Sequence, residues 1–99
     1  MTEVNQAGVH RFNDKHDVTE DQQFRELIEE VGELSEAYNT DAQTDDVAME
    51  LADVIFVARS LAELRDIDVT TEVNTTITDN LQKNTETDGD KVTKDGLKD

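Results

Sequence analysis

Apolar positions recur at helical spacing through most of the chain, and no stretch alternates with the two-residue period of a strand. Residues 2–16 make a weak amphipathic segment, with Val4, Gly8 and Phe12 in register and Val9 beside them. Asp17-Val18 breaks this segment, and Thr19, followed three residues later by Gln22, forms the capping-box pattern that opens a second helix over 20–39. On that helix Phe24, Leu27, Ile28, Val31, Leu34 and Tyr38 share one side and read as packing residues. Glu26, Glu29, Glu30 and Glu33 fall on the other. A polar connector from Asn39 to Thr44 leads into a third helix at 45–65, with Thr44 or Asp45 as its cap. This is the most apolar element, carrying Val47, Leu51, Val54, Ile55, Val57, Ala58, Leu61 and Leu64. Asp68 caps a fourth helix in which Val69, Val73, Ile77 and Leu81 recur every four residues. Its many threonines are mediocre helix formers, so packing must hold it. From Thr85 onward the chain is poor in apolar residues and reads as a polar, disordered tail. The pattern predicts an all-α fold, a small antiparallel bundle of about four helices over 1–84, followed by a tail over 85–99.

Composition adds an expectation about assembly. With 99 residues, of which 34% are hydrophobic and 4% aromatic, the chain can build only a small core. Completion by homo-oligomerisation is therefore expected, as a homodimer or homotetramer. Twenty-five acidic residues against nine basic ones give a formal net charge of −16, which argues against duplex nucleic acid and anionic membrane as partners. The periodic apolar segments confine any acidic disorder to parts of the chain. A halophile's cytosolic protein, kept soluble in strong salt by surface carboxylate, accounts better for the charge. Cysteine is absent, which removes disulfides and thiolate metal sites. No apolar run approaches the roughly 18 residues of a membrane span, and no signal-like N-terminal pattern is present. A cytoplasmic protein is the expectation.

The chemistry concentrates between Glu29 and Asp53. Glu29, Glu30 and Glu33 lie on successive turns of the second helix, but acids opposite an apolar stripe are ordinarily just a solvated face. Glu50 and Asp53 are different. Within about 60° of Glu50 the third helix carries Asp53 together with Val54, Val57, Leu61 and Leu64, so both carboxylates stand inside the apolar stripe. Held out of water without a partner, an ionised carboxylate costs several kcal/mol, and two close together repel. Arg59 points the other way along that helix, so a divalent cation is the economical counter-charge. A lysine such as Lys83, or an arginine from a neighbouring helix, is the alternative. All-oxygen ligands favour magnesium, or manganese, over zinc. Magnesium usually takes one or two carboxylates plus substrate phosphates, so a four-carboxylate cluster suits a metal-bound nucleotide.

These residues resemble a known family. Glu29-Glu30-x-x-Glu33, followed after a spacer by Glu50-x-x-Asp53, is similar to the motif of MazG-type nucleotide pyrophosphohydrolases, all-α enzymes of the nucleoside triphosphate pyrophosphatase group. The phrase from Leu27 to Tyr38, the Glu50-Leu51-Ala52-Asp53-Val54 run and a last helix ending in Asn80, Lys83 and Asn84 resemble it too, over roughly 9–85. The resemblance implies a helical bundle acting as a dimer or dimer of dimers. It also implies magnesium-dependent cleavage of a nucleoside triphosphate between the α- and β-phosphates, giving monophosphate and pyrophosphate. Glu30, Glu33, Glu50 and Asp53 would be metal ligands, with Glu30 part of the catalytic set and Glu29 orienting the attacking water. Asn80, Lys83 and Asn84 would meet the phosphates, and Lys15 is a further candidate there. Two departures stand out: Thr85 falls where an arginine is common, and Phe12-Asn13-Asp14-Lys15-His16 replaces the arginine and tryptophan with which some relatives meet the base. His10 and His16 read as solvated surface residues rather than bases.

Two other readings compete with an enzyme. A non-catalytic helical module would keep the carboxylates to bind metal or nucleotide, in keeping with Thr85. An acidic interaction module without metal would gain stability from Glu50→Gln.

Overall fold

The computed structural model describes residues 5–40, 43–83, 85–88 and 91–94. Its elements run α1 (Gln6–His16), α2 (Glu20–Asn39), α3 (Thr44–Leu64), α4 (Val69–Gln82), β1 (Thr85–Asp88) and β2 (Lys91–Lys94). The four helices agree with the all-α expectation. The chain divides after Ile67 into two compact units.

The helix boundaries follow from local chemistry. Asn5 caps α1 by accepting from the Gly8 N–H at 2.9 Å, and α1 ends at Asp17, whose φ of 51° is left-handed and stops propagation. Residues 2–4 of the expected first helix lie outside the described residues. The predicted capping box opens α2. The Gln22 N–H donates to Thr19 Oγ1 at 3.2 Å, and the Thr19 N–H donates to Gln22 Oε1 at 3.0 Å. The N-cap of α3 is Gln43 rather than Thr44 or Asp45, with the Asp46 carboxylate accepting from the Gln43 N–H at 3.3 Å. Asp68 caps α4 as expected, accepting from the Thr71 N–H at 3.2 Å.

In the first unit α3 is central, and α1 and α2 both pack against it antiparallel. Along α1, Gln6 meets Glu63 while Phe12 meets Phe56 edge-on, with ring centroids 4.9 Å apart. Along α2, Gln23 meets Ser60 while Glu30 comes beside Asp53 and Glu50. The most buried residues are Val9, Val57 and Ala62 together with the polar Asn13, Gln23 and Ser60. Those three polar residues satisfy one another. Gln23 Nε2 donates to Ser60 Oγ at 2.8 Å, Ser60 Oγ donates to Asn13 Oδ1, and Asn13 Nδ2 donates to the Ser60 carbonyl at 3.1 Å. All three helices thus meet at Ser60.

The face that α2 turns to α3 differs from the one its apolar stripe suggests. The less exposed residues of α2 are Gln23, Glu26, Leu27, Glu30, Leu34 and Ala37. Phe24 (55% exposed), Ile28 (57%), Val31 and Tyr38 (75%) face outward. Relative to the predicted stripe the packed face is rotated by roughly a quarter turn. Leu27 and Leu34 sit at the edge the two faces share. This rotation carries Glu26 and Glu30 from the expected solvated side toward α3.

The second unit holds α4, whose Val73, Ile77 and Leu81 are exposed, and a two-stranded antiparallel hairpin. The hairpin pairs Thr85 with Lys94 and Asp88 with Lys91. Both strands fall within the stretch 85–99 read as a polar tail, of which 89–90 and 95–99 lie outside the described residues. No described helix is long and apolar enough to cross a membrane.

Candidate functional site

Glu26, Glu30 and Glu33 stand on successive turns of α2, while Glu50 and Asp53 stand one turn apart on α3. The antiparallel crossing brings three of them together: Glu30, Glu50 and Asp53 each offer a carboxylate oxygen within 4.8 Å of the others. Glu33 is not part of that close trio, but its carboxyl acts on Glu50 by charge and by a side-chain contact. Glu26 makes the corresponding approach to Glu30. Glu30 and Glu50 are half-buried, and Glu33 and Asp53 are exposed.

Among the described residues, no counter-charge acts on Glu30 or Glu50. Burial, followed by the contact with Glu26 and the charges of Glu33 and Asp53, pushes the Glu30 carboxyl up to about 7. Burial again acts first on Glu50, and the charges of Glu33 and Asp53 raise it further. Every charged group acting on these two is another carboxylate. Both Glu30 Oε1 and Glu50 Oε1 are shut off from solvent without a hydrogen-bond partner. Buried polar atoms are rarely left so, and an orphaned pair facing other carboxylates fits a cation. The donor set is all oxygen, which suits magnesium or manganese.

Against this geometry, the family model for the MazG nucleotide pyrophosphohydrolase domain matches residues 18–89. The chain belongs to that family. The family implies a nucleotide pyrophosphohydrolase, a hydrolase acting on nucleoside triphosphates and generally using a divalent metal. The match spans both carboxylate-bearing helices of this MazG-family chain. No curated protein and no solved structure matches it.

The other expected site residues take varied positions. Glu29 is exposed on α2 and outside the close trio. Lys15, on α1, lines a surface depression with Arg11, Phe12 and His16. Asn80 lies in α4 and Lys83 at its C-cap, both in the second unit, while Asn84 falls outside the described residues. His10 and His16 have structural company. The Nδ1 of His10 lies 2.7 Å from Glu63 Oε2 and its Nε2 3.3 Å from Asp14 Oδ2, and the His16 ring lies 4.7 Å from that of Phe12. Hydrogen bonds from Gln6 and His10 hold the Glu63 carboxyl below its ordinary range. Arg59 is turned to α1, donating to Gln6 Oε1 at 2.9 Å.

Two features escaped the sequence reading. Glu26 precedes Glu30 by four residues, a spacing that shares a helix face, but the apolar stripe of α2 places it among the solvated acids. The Asn13–Gln23–Ser60 network had a fainter signal: Ser60 is an uncharged polar residue inside the apolar run of α3.

Proposed function

We propose that this chain is a magnesium-dependent nucleoside triphosphate pyrophosphohydrolase, cleaving between the α- and β-phosphates to give a nucleoside monophosphate and pyrophosphate in house-cleaning of the nucleotide pool. The observation that carries this reading is the pair of buried, unpartnered oxygens of Glu30 and Glu50 within a cluster of carboxylates, in a chain of this family. Glu30, Glu33, Glu50 and Asp53 would hold the cation, magnesium or in its place manganese. Bound there, it would offset phosphate charge and acidify a coordinated water.

The chain's own residues then have distinct tasks. Glu29, exposed beside Glu30, orients the attacking water, and Glu29 or Glu30 takes the proton it gives up. The water oxygen bonds to phosphorus, the bridging P–O bond between the α- and β-phosphates breaks, and its electron pair leaves with pyrophosphate. Lys15, Asn80, Lys83 and Asn84 are assigned to the phosphates. Duplex nucleic acid and membrane are not partners in this reading, and the cytoplasm is its compartment.

A homodimer or homotetramer completes the proposal. The apolar residues that α2 turns outward, Phe24, Ile28, Val31 and Tyr38, support it, since a face of this kind is what self-association buries.

Incubation of folded protein with a panel of nucleoside triphosphates, magnesium and high potassium chloride tests the activity. Pyrophosphate release from at least one of them is expected. Thr85 supports a second reading, a non-catalytic metal- and nucleotide-binding module, because an arginine is common at its position in the family. Magnesium-dependent thermal stabilisation with no turnover of any nucleotide would favour that module.

A further inference from the structure

Two further acids act on the four carboxylates assigned to the cation: Asp46, exposed, acts on Glu50, and Glu26 acts on Glu30. Glu26 lies one turn before Glu30 on the face of α2 that packs toward α3, and it is half-buried rather than solvated. Gln23, almost one turn earlier, anchors that face by donating to Ser60 Oγ of α3 at 2.8 Å. Glu26 shares that half-buried face with Glu30, four residues on, and its carboxyl acts on that of Glu30 through a side-chain contact as well as through its charge. Glu30 meets acid on two sides, Glu26 from its own helix and Glu50 with Asp53 from α3, while its Oε1 is closed off from water without a donor.

We infer that Glu26 is a fifth carboxylate of the metal centre, a positioning residue that orients Glu30 and raises the affinity of the site for a divalent cation. This rests on the metal-dependent reading above and extends it by one residue. A carboxylate that touches a metal ligand acts as other outer partners do: it fixes the ligand's orientation and adds favourable charge, and loss of such partners typically weakens metal binding about 10- to 100-fold.

The test is manganese(II) binding to nucleotide-free protein, followed by the loss of the free-ion electron paramagnetic resonance signal, in the wild type and in three variants. Glu26→Gln keeps the side chain's shape and removes its charge; Glu26→Asp keeps the charge. Glu36→Gln removes a charge from an exposed position of α2 that belongs to no cluster. Expected are at least about 10-fold weaker binding for Glu26→Gln, substantial recovery in Glu26→Asp, and wild-type binding for Glu36→Gln. Unchanged affinity in Glu26→Gln would overturn the inference, as would an equal loss in Glu36→Gln, which would reduce the effect to overall charge. Circular dichroism establishes that each variant is folded, and a misfolded Glu26→Gln leaves the decision to Glu26→Asp, for which a loss as large as that of a ligand-removing Glu50→Gln control counts against the positioning role. Failure of the wild type itself to bind manganese would overturn the metal-dependent reading as well, whereas binding that ignores Glu26 overturns this inference alone.

Discussion

Glu30 on α2 and Glu50 on α3 each bury an Oε1 atom that no hydrogen-bond donor reaches, and their carboxylates lie in one cluster with Asp53. Two acids from different helices are held together, and among the described residues only other carboxylates act on them, which strains the metal-free fold at this place. Function and stability are opposed there.

The first consequence concerns Glu50→Gln. Removing this charge relieves repulsion, so the metal-free variant should melt at or above the wild-type temperature with unchanged helix content. Its hydrolytic activity should fall by more than about 100-fold, beyond what loss of an outer-shell partner produces. Thermal melts in chelator, set beside turnover in magnesium, check both halves.

The second concerns pH. The Glu30 carboxyl is pushed up to about 7 from 4.5, so between those values the folded protein binds more protons than the unfolded chain. Metal-free stability must therefore fall as pH rises from 4.5 through about 7, and level off above. Glu30→Gln should flatten that part of the profile. Saturating magnesium should offset the loss at high pH, since cation and proton compete for the same oxygens. Denaturant titrations at several pH values, with and without magnesium, measure it.

The third concerns Ser60. Ser60→Ala leaves Gln23 Nε2 without its acceptor and Asn13 Oδ1 without its donor, both buried. Loss of about 1–3 kcal/mol of stability is expected, the usual penalty for stranding buried polar groups. Urea unfolding of the variant at constant m-value is the measurement.

The helices themselves were legible in the sequence because apolar period and capping chemistry agree: the Thr19–Gln22 box and the Asp68 cap sit where the residue types place them. Glu50 was legible for a similar reason, as a charge inside an apolar stripe and half-buried in the fold. What periodicity could not give is rotation. The apolar stripe of α2 is broad, and whichever edge packs within the chain leaves the other exposed, so Phe24, Ile28, Val31 and Tyr38 turned out to face away while Glu26 and Glu30 turned in. The hairpin escaped because Thr85–Asp88 and Lys91–Lys94 are short, polar and without an alternating apolar face.

The fourth prediction follows from that outward face. Light scattering coupled to size exclusion should give a mass at least twice the 11.1 kDa of one chain. Ile28→Glu, placed on the exposed apolar side of α2, should shift it toward monomer while leaving the carboxylate cluster intact. A monomeric wild type at micromolar concentration would remove self-association from the account.

The central claim is that the carboxylate cluster serves cleavage between α- and β-phosphates. Phosphorus-31 NMR of a nucleoside triphosphate incubated with wild type and with Glu50→Gln, in magnesium and high potassium chloride, reads the products directly. The account predicts monophosphate and pyrophosphate resonances with the wild type and none above background with Glu50→Gln. Appearance of diphosphate and inorganic phosphate instead, or equal turnover by the two proteins, would contradict it.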